Sequence, residues 1–94
     1  MRIVWSEAAL DDLAAILVYY LEQAGPATAA RVEARIIERI ETLRAFPESI
    51  PTSERVPGTR ELVIQRLPYI AFVQVFPDRI LVLNLIHTAR KFPI

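Results

Sequence analysis

The sequence lacks cysteine and has one histidine, one lysine and two glycines in 94 residues. Without cysteine the chain has no disulfide framework, no thiol nucleophile and no thiolate ligands for zinc. Two isolated glycines, Gly25 and Gly58, cannot build the glycine-rich loop that cradles phosphates in nucleotide-binding proteins. No serine lies in a strand-turn-helix elbow, so a Ser-His-Asp triad around His87 is not indicated either.

Long hydrophobic runs are also absent. The longest, residues 14–21, has eight residues, whereas a membrane-spanning helix needs roughly 18. The chain reaches Ser6 and Glu7 too early for a signal peptide. Acids in the first turns of a helix, here Glu7, Asp11 and Asp12, are explained by the helix dipole rather than by a metal. We therefore expect a single cytoplasmic domain over residues 1–94, with no cofactor, no metal and no contact with a membrane.

Charge and hydrophobicity are unusual in their distribution. The net charge is zero, but residues 1–50 carry −3 and residues 51–94 carry +3. This modest positive charge predicts no strong direct binding of DNA by the protein alone. Apolar residues form 53% of the chain and its mean hydropathy is +0.30, so some apolar surface should remain for a partner protein. An aliphatic-rich core accounts for the same composition.

Two amphipathic helices are predicted in the first half, after a short strand over residues 2–5. Ser6 is a suitable N-cap for the first helix, and Gly25-Pro26 ends it and opens the second, which should run from residue 27 to 46. The short connection predicts an antiparallel hairpin. The expected apolar face of the first helix is Leu10, Leu13, Leu17, Tyr20, Leu21 and Ala24, and that of the second is Ala29, Val32, Ile36, Ile40 and Leu43.

Three strands are predicted in the second half, over residues 60–65, 69–76 and 80–87. The turns between them are short enough for hairpins. With the first strand they predict an α+β fold of order β-α-α-β-β-β, in which an antiparallel sheet packs against the helical hairpin. The last two strands are apolar on both faces, so their second face should be covered or form a groove.

Short motifs occur at fixed places along nearly the whole chain. They are Trp5-Ser6 with Ala9, Asp12-Leu13, Gly-Thr-Arg-Glu-Leu-Val at 58–63, Leu-Pro-Tyr-Ile at 67–70, and His-Thr-Ala-Arg-Lys-Phe-Pro at 87–93. In this order and spacing the chain resembles the RelE/ParE superfamily of toxins from bacterial type II toxin-antitoxin modules. The resemblance implies a growth-inhibiting toxin that is neutralised by a cognate antitoxin encoded beside it.

The resemblance leaves the target open. One branch of the superfamily cleaves messenger RNA on the ribosome, and the ParE-like branch poisons DNA gyrase. Metal-free RNA cleavage needs a base, an acid and cations that stabilise the phosphate. Where the nucleases often carry arginine this chain has Ile70, and where many relatives have Tyr-Arg it has Val73-Gln74. The remaining catalytic candidates are His87, Arg60, Arg66 and Arg90.

The missing cations favour the ParE-like branch, which acts by binding gyrase and not as an enzyme. The candidates for contacts with the target or antitoxin are then Tyr19, Tyr69, Arg90, Lys91 and Phe92. His87 also has a purely structural interpretation, in which it caps the end of the sheet through hydrogen bonds. Two alternatives remain: a ribosome-dependent endoribonuclease that acts on messenger RNA, and an inactivated relative that only binds its antitoxin.

Overall fold

The computed structural model describes residues 1–90 of the chain. The elements follow the predicted order. They are β1 (Arg2–Trp5), α1 (Glu7–Ala24), α2 (Pro26–Glu41), β2 (Arg60–Ile64), β3 (Tyr69–Val75) and β4 (Arg79–His87), with a short 3₁₀ helix, Thr42–Arg44, after α2. No helix in this part of the chain has the length and hydrophobicity that a bilayer crossing requires.

The four strands form one mixed sheet in the order β1-β4-β3-β2. The pairs β2-β3 and β3-β4 are antiparallel, as their tight turns predict. However, β1 pairs with β4 in parallel, from Arg2 opposite Arg79 to Trp5 opposite Val82. The prediction of a wholly antiparallel sheet is therefore wrong. A hairpin turn fixes strand direction, but the long helical connection after β1 leaves it free.

Both ends of the first helix follow the sequence prediction. The Ser6 hydroxyl oxygen accepts a hydrogen bond from the Ala9 amide at 3.0 Å, which is an N-cap, and its hydroxyl donates to the Leu83 carbonyl at 2.8 Å. Gly25 ends α1 with φ +91°, a conformation that suits glycine, and Pro26 opens α2. Ser6 thus starts the helix and also attaches it to β4.

The core between hairpin and sheet corrects the predicted face of α1. Ala9 and Ile16 are buried, and Leu13, Leu17 and Tyr20 pack against them, but Leu10 is 52% exposed, Leu21 is 49% exposed and Ala24 is also exposed. Successive residues of a helix turn by about 100°. Because two adjacent faces of α1 are both apolar, the predicted stripe combined residues from the two. The stripe of α2 is confirmed, with Ala29 partly buried and Val32, Ile36, Ile40 and Leu43 in the core.

The second helix is shorter than predicted. It ends at Glu41, and the next residues tighten into the 3₁₀ helix instead of continuing to Phe46. The Thr42 hydroxyl donates to the Arg39 carbonyl at 2.6 Å, an interaction that competes with the regular helical hydrogen bonds. Phe46 is consequently 69% exposed.

The chain's own loop covers part of the second sheet face. Phe72 is 1% exposed, and the Arg55 guanidinium lies over its ring at 5.3 Å from the centroid. Arg55 pairs with Glu61 at 2.7 Å. The outer edge of β2 is also occupied, because the Glu61 amide donates to the Pro51 carbonyl at 3.1 Å. Residues 51–59 therefore supply part of the expected covering, whereas Val63, on the same face as Glu61, is 53% exposed.

Candidate functional site

Aromatic side chains surround the carboxyl end of β4. His87 lies opposite Tyr69 in the β3-β4 pairing, and their rings meet edge to face with centroids 5.5 Å apart. Tyr19 and Tyr20 of α1 form a similar pair at 5.3 Å. Together with Pro68 these four side chains line an open cleft of about 320 Å³, which we call the aromatic cleft.

Asp12 ties α1 to β4 beside this cleft. One of its carboxylate oxygens, Oδ2, accepts from the Leu85 amide at 2.9 Å and from the Asn84 side-chain nitrogen at 3.2 Å. Both donors belong to the part of β4 that extends past the end of β1, next to the register shift between β3 and β4. On the side of β1, this part of β4 has no neighbouring strand. The sequence interpretation explained Asp12 by the helix dipole alone and missed this role.

Tyr69 is the most deeply buried ring of the cleft, with 7% of its surface exposed. Desolvation is the largest of the effects that raise the pKa of Tyr69 to about 12. A hydrogen bond with the Tyr20 hydroxyl, and charge repulsion from Tyr20 and then from Tyr19, contribute to the same shift. A phenol with this pKa does not act as a base near neutral pH. Tyr69 therefore offers the cleft a ring face and a neutral hydroxyl, which suits recognition better than proton abstraction.

His87 is exposed at the mouth of the aromatic cleft. Its Nδ1 accepts a hydrogen bond from the Ala89 amide at 3.1 Å, and the Arg90 amide donates to the His87 carbonyl at 3.0 Å. An Nδ1 that accepts carries no proton, so in the neutral ring the proton is on Nε2. His87 thus holds the turn after β4, as its structural interpretation expects, and directs Nε2 away from that turn.

The arginine candidates are divided between the two ends of the sheet. Arg60 pairs with Val73, whereas His87 pairs with Tyr69 at the opposite end of β3, and the Arg60 guanidinium donates to the Ile50 carbonyl at 2.7 Å. Arg60 is therefore a structural residue of the loop before β2. Arg66, in the β2-β3 turn with φ +68°, and Arg90 are exposed and lie at the His87 end of the sheet.

Two predicted contact residues, Lys91 and Phe92, lie outside the described part of the chain. Of the others, Tyr19 and Tyr69 line the aromatic cleft and Arg90 follows it in the turn after β4. Sequence reasoning placed Tyr19 toward the edge of the core, and the side chain is indeed 57% exposed. It did not single out Pro68, which reaches the cleft only because of the turn between β2 and β3.

A second surface lies on the outside of the helical hairpin. Leu10, Val18 and Leu21 of α1 and Ile37 of α2 are between 37% and 52% exposed, and we call them the outer hairpin face. All charged residues of α1 are acidic, namely Glu7, Asp11, Asp12 and Glu22. The sequence interpretation assigned Leu10 and Leu21 to the core and so did not identify them as surface residues. Within residues 1–90 no three His, Asp or Glu side chains form a cluster that could hold a metal ion.

Residues 3–92 match the family described as the ParE toxin of the type II toxin-antitoxin system parDE. A Sinorhizobium fredii protein described as a toxin candidate, Y4kP, is 36% identical over 92 residues, which are 98% of this chain and 93% of that protein. A chain of the chromosomal ParDE system from P. aeruginosa has a TM-score of 0.85 and 28% identity, and the match covers 93% of this chain and 95% of that one. The YoeB/ParE toxin from Agrobacterium tumefaciens shares the fold, with a TM-score of 0.64 and 17% identity over 93% of this chain and 98% of that one.

Proposed function

Because this chain belongs to the ParE toxin family of type II toxin-antitoxin systems, we propose that it inhibits growth in the bacterial cytoplasm by binding and poisoning DNA gyrase. Membership of this family indicates a cognate antitoxin as the partner. In our proposal the antitoxin neutralises the toxin by covering its binding surfaces.

The separation of Arg60 from His87 is the observation that most favours binding over catalysis. A metal-free ribonuclease needs several cations around one phosphate. Here the Arg60 guanidinium is held by the Ile50 carbonyl at 2.7 Å. Ile70, where a cation was expected, is opposite Ile86 in the sheet. The cleft beside His87 is lined by three tyrosines, a residue type that is frequent in protein interfaces.

The aromatic cleft is our candidate contact surface for gyrase. Tyr19 and Tyr69 supply large rings with few rotatable bonds. Arg90, Lys91 and Phe92 follow His87 closely in the sequence. Anchors of this type contribute most of the binding energy in many interfaces. We expect Tyr19→Ala, at a ring that is 57% exposed, to reduce gyrase inhibition by at least tenfold, whereas Tyr19→Phe, which keeps the ring, should remain active.

The outer hairpin face is our candidate docking surface for the antitoxin. An amphipathic helix binds by placing apolar side chains at spacings of three and four residues on such a face. Since α1 has four acids and no base, a second copy of α1 would be repelled. The antitoxin segment should therefore carry basic residues beside its apolar ones and lie across the helices and the exposed sheet face as a helical or extended segment.

A paired assay tests the target. Purified toxin is added to a gyrase supercoiling reaction and to a translating extract in which cleavage of the message is read by primer extension. We expect loss of supercoiling and an intact message. Cuts at codon boundaries with unchanged supercoiling would contradict the proposed target and support the ribonuclease.

The ribonuclease alternative rests on the position of three side chains. His87, Arg66 and Arg90 lie at one end of the sheet and are exposed, so a message could approach them. In that case His87→Ala should abolish cleavage of the message, so toxicity that survives His87→Ala would exclude the ribonuclease. A purified protein inactive in both assays, yet bound by its antitoxin, would be the inactivated relative.

Antitoxin docking is tested by two substitutions on the same helix. Leu10→Glu places a charge in the outer hairpin face, and Ala8→Glu places the same charge at an exposed position about 160° away around α1. We expect Leu10→Glu to weaken antitoxin binding by at least tenfold and Ala8→Glu to leave it within twofold. Equal effects of the two substitutions would move the docking surface elsewhere.

A further inference from the structure

Three arginines lie along one side of α2. Arg31, Arg35 and Arg39 are four residues apart, so they share one side of the helix, with about 6 Å of rise between neighbours. The Arg39 Nε donates to the Val63 carbonyl at 3.1 Å, which places this side next to the edge of β2. Arg66 follows in the β2-β3 turn, and we call these four residues the arginine flank.

The charges of the arginine flank are not neutralised. Its members form no salt bridge among the ion pairs of residues 1–90, which join Arg44 to Glu41, Arg55 to Glu61 and Arg79 to Asp78. A shallow cleft of about 230 Å³ lies along the flank, lined by Arg35, Glu38, Arg39, Thr42 and Gln65. Glu38 is the one carboxylate in this lining. The flank thus presents several cations beside a small concave surface.

We propose that the arginine flank binds the phosphate backbone of double-stranded DNA. Along one DNA strand the charges advance by about 3.4 Å of helix axis per nucleotide while the strand also winds around that axis, so neighbouring phosphates are farther apart than the rise and arginines about 6 Å apart can meet them. Arg39 is held by the Val63 carbonyl and by the Thr42 hydroxyl at 3.4 Å, and Arg31 by the Thr28 hydroxyl at 3.1 Å. Two of the four guanidinium groups are therefore partly oriented before a ligand arrives.

The composition of the flank favours DNA over a protein and a duplex over a single strand. Protein interfaces need an apolar centre, and the residues that line the cleft include no large apolar side chain. Single-stranded nucleic acids are held by stacking of bases on aromatic rings, and the same lining has none. Phosphate contacts alone are sufficient for a duplex, and they carry no sequence preference.

Four phosphate contacts give weak binding that depends steeply on salt. This agrees with the expectation that the protein alone does not bind DNA strongly. Each contact contributes about −0.9 to the slope of log K against log salt concentration, so the slope should be about −3.5. Between about 50 and 200 mM salt the affinity should therefore fall about a hundredfold. The inference does not depend on gyrase being the target.

The experiment is a salt titration of the full chain with a labelled DNA duplex, read by fluorescence anisotropy. The test variant is Arg31→Gln, Arg35→Gln and Arg66→Gln together, which leaves Arg39 in place to hold β2. The control is Arg2→Gln, Arg44→Gln and Arg79→Gln together, which removes the same charge elsewhere. We expect the test variant to have a slope of about −1 and the control to keep that of the unmodified protein.

Each other outcome overturns the proposal. Equal changes in slope for the two triple variants would mean that net charge alone attracts DNA. An undiminished slope in the test variant would place the phosphates elsewhere. Tighter binding of single-stranded RNA than of duplex DNA would point to a different ligand, and equal binding of a polyglutamate peptide would assign the flank to an acidic protein. Circular dichroism and thermal melting verify that each variant is folded, and Arg35→Gln alone is the fallback, with an expected slope change of about one unit.

Discussion

The Asp12 carboxylate connects α1 to the edge of β4 that has no neighbouring strand, and removal of this carboxylate should destabilise the fold. In Asp12→Ala the Leu85 amide and the Asn84 side chain lose their acceptor, at present 2.9 and 3.2 Å away. A hydrogen bond to a charged group contributes about 1.5 to 3 kcal/mol. Both contacts are only partly buried, so water can replace some of this, and we expect a loss of about 2 kcal/mol in the free energy of unfolding.

Two further substitutions give the Asp12 prediction its controls. Asp12→Asn keeps a carbonyl oxygen that can accept from the Leu85 amide, so its loss should be smaller, about 1 kcal/mol. Asp11→Ala removes an exposed acid of the same helix and should change stability by less than about 0.5 kcal/mol. Urea denaturation followed by circular dichroism measures all three values.

Hydrogen exchange then tests the cause of the Asp12 effect. If the carboxylate protects the Leu85 amide, this amide should exchange faster in Asp12→Ala than in Asp11→Ala under the same conditions. The reasoning is refuted if Asp12→Ala is as stable as Asp11→Ala, or if stability falls while exchange at Leu85 is unchanged relative to the rest of β4.

Three other predictions concern pH and the backbone. Hydrogen bonding to Arg55 lowers the pKa of Glu61, so the stabilisation from the Glu61 carboxylate is present at neutral pH and is lost as pH falls through that pKa. In urea titrations Glu61→Gln should therefore lose less stability on acidification than the unmodified protein. Equal losses would contradict this. The pKa of Tyr69 is raised to about 12, so the protonated phenol stabilises the fold below the ordinary tyrosine pKa, and this stabilisation is lost as pH rises toward 12. Absorbance of phenolate should show one late ionisation that Tyr69→Phe lacks. Gly25→Ala meets no atom within 4 Å at φ +91°, so it should cost about 1 to 2 kcal/mol in denaturation through the backbone alone, and a neutral effect would show that this turn relaxes.

The sequence predicted the features of this fold that depend on neighbouring residues. Ser6 as N-cap, Gly25-Pro26 as the helix junction and the tight turns of the β2-β3-β4 meander are local signals, and the structure contains each of them. The direction of β1 was predicted wrongly because it depends on a strand far along the chain. No local pattern in Arg2–Trp5 distinguishes a parallel from an antiparallel neighbour.

The error on α1 has a different cause. Leu10 and Leu21 continue a regular apolar pattern, and a hydrophobic pattern alone does not state whether the partner of a face is within the chain or outside it. A helix that is apolar over more than half of its circumference can bury one face and expose the other. The misassigned leucines are therefore the residues that mark the outer hairpin face.

The candidate site was predicted in part. Tyr19, Tyr69 and His87 were selected separately, and the pairing of β3 with β4 brings the last two together beside α1. Arg60 was selected by residue type, but a guanidinium also serves as a hydrogen-bond donor to loop carbonyls, and here it donates to that of Ile50. Chemical type alone does not separate these two uses.

The parallel pairing of β1 with β4 has a consequence for synthesis of the protein. Ser6 and its hydrogen-bond partner Leu83 are 77 residues apart in sequence, so the first strand leaves the ribosome long before its neighbour exists. Until β4 has been made, β1 has no strand to join and the amino-terminal end of α1 has no anchor. His87 closes the aromatic cleft from the end of that same strand. A nascent chain should therefore lack both the aromatic cleft and the anchored end of α1 for most of its translation.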